Sequence, residues 1–118
     1  MINKRQNTRI PLSGLANIKL KKQGKSQSIQ SVIANISSQG MGVYAYNPIE
    51  LKNDVLITVN FVFLDGSLKT DSLNGRIVSN KKIDNTFFIG IQFEEETDAK
   101  NQPFLFEHIN TKKTLISH

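Results

Sequence analysis

Val55-Leu56-Ile57-Thr58-Val59-Asn60-Phe61-Val62-Phe63 carries an apolar residue at every odd-numbered position, from Val55 through Ile57, Val59 and Phe61 to Phe63. A spacing of two puts these side chains on one face of a pleated strand. Their β-branched and aromatic character suits that surface. The same period recurs on both sides. Ala16, Ile18 and Leu20 alternate with Asn17, Lys19 and Lys21, and Phe87, Ile89, Ile91 and Phe93 repeat it near the end. Further strands are expected at about 28–36, 42–46 and 68–78.

Turn signals separate these runs. Lys22-Gln23-Gly24 divides the first two strands, and Asp65-Gly66 is a strong hairpin signal between apolar segments. Residues 80–85 read as a polar loop before the last strand. Short strands at roughly ten-residue spacing, joined by such turns, predict an all-β, compact antiparallel barrel or sandwich. Closure would also protect edges that an open sheet exposes.

The flanks differ from this centre. Residues 1–14, punctuated by Asn3, Asn7, Pro11, Ser13 and Gly14, read as an irregular, flexible arm. At the other end Glu94-Glu95-Glu96 closes the strand pattern. Pro103 suits the first turn of a helix, and Leu105 and Ile109 lie one turn apart, predicting a short helix over about 103–110. The expected organisation is one domain over 1–118: arm 1–14, barrel 15–93, then an acidic turn, helix and tail over 94–118.

A chain of 118 residues is the size of one domain with one core. No run approaches the roughly 20 apolar residues that span a bilayer, so membrane insertion is not expected. The N-terminus lacks the apolar core of a secretory signal, giving a soluble, cytoplasmic protein as the expectation. The absence of cysteine excludes disulfides, thiolate catalysis and cysteine-based zinc sites. His108 and His118 stand ten residues apart without clustered carboxylates, so no metal site is expected. No nucleophile–base pair is evident either, which argues against an enzyme with catalytic residues. Charge is distributed unevenly: residues 1–49 hold seven basic and no acidic side chains, while the remainder holds eight basic and ten acidic. Such asymmetry points to an anionic partner.

Two short motifs interrupt the strand pattern. Arg5-Gln6-Asn7-Thr8-Arg9 sets two arginines four apart in the arm, and Asn35-Ile36-Ser37-Ser38-Gln39-Gly40-Met41-Gly42 inserts a polar turn. Arginine offers a planar fork of donors that matches a guanine edge or a phosphate. Asn and Ser supply short donors and acceptors, and Gly lets a ligand approach the backbone.

Arg-x-x-x-Arg followed about 25 to 30 residues later by Asn-x-Ser-x-x-Gly resembles the two-part signature of PilZ domains. Gly90-Ile91-Gln92-Phe93 is similar to the family's last strand before its helix, so the resemblance runs from Lys4 to about Ile109. Asn35 stands where many members carry Asp, and Gln39 where a small residue is common. The resemblance implies a six-stranded antiparallel barrel with a C-terminal helix, acting as a non-catalytic receptor for bacterial cyclic di-GMP with no further cofactor. It implies that Arg5 and Arg9 contact guanine and phosphate while Asn35, Ser37 and Gly40 frame the second base. It further implies that the arm folds over the ligand and alters a surface for an unidentified protein partner. A basic residue at Lys4 would favour a stacked pair of ligands. Two other readings remain: a protein-interaction adaptor that binds no ligand, and a single-stranded nucleic-acid-binding barrel. The last is disfavoured, because the basic residues do not interleave with aromatic ones along a strand face.

Overall fold

The computed structural model describes residues 8–22 and 25–116. Its strands are β1 (Ile10–Pro11), β2 (Gly14–Lys22), β3 (Lys25–Ile36), β4 (Gly40–Ala45), β5 (Asp54–Val62), β6 (Leu68–Ile83) and β7 (Thr86–Phe93), followed by one helix, α1 (Pro103–Ile116). All pairings are antiparallel, in the order β1-β3-β2-β5-β6-β7-β4, and β3 also pairs β4. That last pairing closes β2 to β7 into the expected six-stranded barrel. The two-residue β1 continues the edge of β3 beyond the point where β2 leaves it, pairing Ile10 with Ile36.

The alternation read in the sequence becomes inside and outside. Val55, Ile57, Val59 and Phe61 of β5 are fully buried, as are Ala16 and Ile18 of β2 and Ile89 of β7. Burying each of these valine, isoleucine and phenylalanine side chains stabilises the fold by about 1.5–3 kcal/mol. The hairpin between β5 and β6 turns at Asp65-Gly66, as expected. Gly66 takes a left-handed backbone (φ 86°), and the Asp65 carboxylate accepts the Ser67 N–H at 2.9 Å.

Three boundaries differ from the sequence reading. The arm is shorter than 1–14: Ile10 and Leu12 are buried in the core, so the chain is anchored from β1 onward. Residues 80–85 are not a loop. Asn80 to Ile83 extend β6 and pair with Thr86 to Ile89, leaving a two-residue turn in which Asp84 has φ 53°. Their polar side chains suggested a loop because this end of the hairpin is exposed. The helix runs to Ile116 rather than 110, since its last turns pack little and show no apolar repeat.

Helix α1 closes one end of the barrel with Leu105 and Ile109, both buried. Around them Phe61, Phe63, Phe104 and His108 form an edge-to-face cluster, with ring centroids 5.6 Å apart for Phe61–His108 and Phe63–Phe104. Asp71 of β6 anchors the helix start, its Oδ2 accepting the Leu105 N–H at 2.8 Å. That bond satisfies one of the helix's orphan donors. Burial pushes the Asp71 carboxyl pKa up, against the lowering effect of the backbone donors of Leu105 and Phe104. Among the described residues, no helix is long and apolar enough to cross a membrane.

Candidate functional site

The polar turn between β3 and β4 is built by its own side chains. Ser37 is buried, its N–H donating to the Gly40 carbonyl at 2.8 Å. Its hydroxyl accepts the Gln39 N–H at 3.2 Å and donates to the Gly40 carbonyl at 3.4 Å. Ser37 therefore holds the turn from within. Gln39 ties the turn to the end of the barrel: its carbonyl accepts the Phe93 N–H at 2.8 Å, and its carboxamide donates to Glu96 at 3.2 Å.

The arm meets this turn at Arg9. Arg9 Nη1 donates to Asn35 Oδ1 at 2.9 Å, joining residues 26 apart in sequence. Its guanidinium lies against Gly40, 3.4 Å from where a Cβ on that residue would stand. That hypothetical Cβ would also sit 2.5 Å from the Ile91 carbonyl oxygen, so this close approach of β4 to β7 requires glycine. Desolvation lowers the Arg9 pKa, yet an arginine stays charged throughout the physiological range.

Arg9, Ser37, Gln39 and Gly40 line an open cleft of about 270 Å³ together with Val78, Ile91 and Gln92. The fold thus brings together Arg9, Asn35, Ser37 and Gly40, four of the six residues singled out in the sequence. Lys4 and Arg5 lie outside the described residues. Val78, Ile91 and Gln92 carry no such signal in the sequence, because their contribution depends on register. Gln92 faces Gly40 across the β4–β7 ladder, and an irregularity between Ile77 and Ser79 leaves Val78 exposed. The Gly90-Ile91-Gln92-Phe93 stretch reads as a strand, and nothing in its spacing marks the glutamine as cleft-facing.

Electrostatics separates this cleft from a second one. The other, about 290 Å³, is lined by Glu94, Glu95, Glu96 and Asp98 with neutral neighbours, and would repel an anion. Strands β2, β3, β4 and β7 contain no Asp or Glu, and Arg9 is joined in the cleft lining by neutral residues, with Glu96 bordering it through its bond from Gln39. Among the described residues no cluster of His and carboxylates could hold a metal ion.

The order of arginine, polar turn and final glycine-containing strand, now seen as one cleft on a closed barrel, coincides with a family model, PilZ domain, matched over residues 3–109. The chain belongs to the PilZ domain family. Among solved structures, this PilZ domain resembles the Bacillus subtilis inhibitor of motility MotI/DgrA, with a TM-score of 0.65 and 14% identity. The match covers 96% of this chain and 53% of that protein, so the chain spans about half its length. It also resembles the PilZ domain of YcgR from Escherichia coli, solved with c-di-GMP, at a TM-score of 0.59 and 10% identity over 93% of this chain and 95% of that one. These likenesses show the shared fold. No curated protein sequence matches this PilZ domain.

Proposed function

We propose that this PilZ domain is a cytoplasmic, non-catalytic receptor for cyclic di-GMP. Arg9 and Arg5 serve as the cationic forks, and Asn35, Gly40 and the Ser37-supported turn form the floor. The observation that carries this reading is the Arg9–Asn35 hydrogen bond beside Gly40, by which a carboxamide holds a guanidinium that lines an open cleft. The ligand has two phosphodiester charges and two guanine edges. A guanidinium can meet either, and the residues that line the cleft with Arg9 are neutral, so the lining itself carries a positive charge. Bridging between Arg5 or Arg9 and the barrel would change the outer surface beside the cleft. We assign the output to a protein partner that reads this change.

A hydrogen bond to a charged group is worth about 1.5–3 kcal/mol, so losing one arginine should weaken binding roughly ten- to a hundredfold. Isothermal titration with cyclic di-GMP of the parent and of an Arg5→Ala, Arg9→Ala variant tests the reading. Binding by the parent, abolished in the variant, is the expected result. The same titration gives the number of ligands per chain, for which Lys4 favours two. A parent that produces neither heat nor displacement of a labelled ligand would reject the receptor function and leave the ligand-independent adaptor.

A further inference from the structure

Beside the cleft, the outer face of the barrel carries aromatic rings that the proposed contacts leave unused. Register places Val32, Tyr44, Phe88 and Lys81 side by side across β3, β4, β7 and β6. The neighbouring outward row, nearer the cleft, is Asn35, Gly42, Gly90 and Ser79. Glycine at residue 42 leaves a space above the sheet, and Phe88 fills it. A Cβ there would meet Phe88 Cζ at 2.6 Å and Cε1 at 3.1 Å. The same point lies 3.2 Å from Asn35 Oδ1, the atom that accepts from Arg9. Tyr44, 41% exposed, braces Phe88 from the far side, with ring centroids 5.0 Å apart and planes inclined by 56°. An aromatic ring and the Arg9–Asn35 pair therefore border the same point above Gly42.

We propose that Phe88, laid over Gly42 and braced by Tyr44, is a stacking platform for one purine base of the ligand. This rests on the receptor function proposed above and adds a residue to it. Phe88 is only half-buried, and it points outward between Phe87 and Ile89, the latter of which belongs to the core. A ring in that position adds little to the core but offers a π surface next to donors and acceptors that can read a base edge. The Phe88 ring lies over the Gly42–Gly90 row, two residues from the Gly40–Gln92 row along β7, about 7 Å at strand rise. A ligand with two bases can thus set one against the ring and the other at the Gly40 row, with the Arg9 guanidinium beside both.

Titration with cyclic di-GMP of the full chain bearing Phe88→Ala, Phe88→Leu or Phe88→Trp tests this, with Arg9→Ala as reference. Stacking on an aromatic ring is expected to make the Ala and Leu variants bind about five- to a hundredfold more weakly. The Trp variant should bind at least as tightly as the parent. Phe88→Leu keeps the apolar cover over Gly42, so its unliganded unfolding midpoint should stay near the parent's, and it carries the test with Phe88→Trp should Phe88→Ala fail to fold. Parental affinity in Phe88→Leu, alongside loss in Arg9→Ala, would overturn the platform while leaving the receptor function standing. A parent that does not bind would overturn both.

Discussion

Replacing Gly40 by alanine tests the geometry of the cleft without touching any charged group. The added methyl would stand 2.5 Å from the Ile91 carbonyl oxygen. Ordinary carbon–oxygen contacts begin at about 3.3 Å, so the strands must separate by most of an ångström at the Gly40–Gln92 pair. The obstruction is backbone within a closed ladder, not the end of a flexible side chain. Overpacking of this kind costs about 1–3 kcal/mol. Reduced freedom of the unfolded chain returns about 0.4–1 kcal/mol. A net loss of about 1–2 kcal/mol follows, lowering the melting temperature by about 4–8 °C for a domain of this size. Thermal unfolding followed by circular dichroism measures it directly. Since Arg9 lies beside the same position, ligand affinity should fall as well. A Gly40→Ala variant as stable as the parent would refute the tight β4–β7 approach on which the site's shape depends.

Two further outcomes test how the barrel is closed. Asp71→Ala removes the acceptor for the Leu105 N–H, and loss of a helix-start acceptor costs about 1 kcal/mol. Amide exchange in α1 should accelerate while that of β5 stays slow, and unchanged exchange in α1 would remove the anchoring role. His108 is buried against Phe61 and Phe63, its Nδ1 has no hydrogen-bond partner, and desolvation followed by the nearby Lys112 holds its pKa below the usual 6.5. A base with a depressed folded pKa stabilises fully above its unfolded value, and that stability drains away as pH falls from about 6.5 toward the folded value. Asp71, with its raised pKa, works in the opposite direction, so the comparison must be made against a variant. The parent should lose more stability than His108→Met between pH 7.5 and 5.5, and parallel unfolding curves would contradict the assignment.

Much of the barrel was legible because its strands bury one face. In β5 and β7 the apolar period of two maps onto the inward side chains, and in β2 the lysines at 19 and 21 mark the outside. The pattern failed where burial ends. Asn80 to Ile83 form a paired strand, yet the hairpin projects from the body, so polar side chains cost nothing and the run resembles a loop. The last turns of α1 escaped for the same reason. Lys112, Thr114 and Leu115 are exposed, and propagation of an established helix needs no apolar stripe. At the site, Arg9, Asn35 and Gly40 could be found because their residue types carry recognisable chemistry in a fixed order. Val78, Gln92 and Phe88 could not, because what brings each to the site is a bulge or a cross-strand pairing. Strand register between β4 and β7, which pairs residues 50 apart at Met41–Ile91 and 52 apart at Gly40–Gln92, is a tertiary property that local pattern does not encode.

Whether cyclic di-GMP sits at the Arg9 cleft is decided by titrating the isotopically labelled chain with cyclic di-GMP and following its backbone amide resonances. Saturable shifts should concentrate at Arg9, Asn35, Ser38 to Gly40, Val78 and Gln92, with the exposed last turns of α1 unmoved. Saturable shifts centred on the acidic cleft around Glu94 to Asp98, or a spectrum that does not change at all, would contradict it.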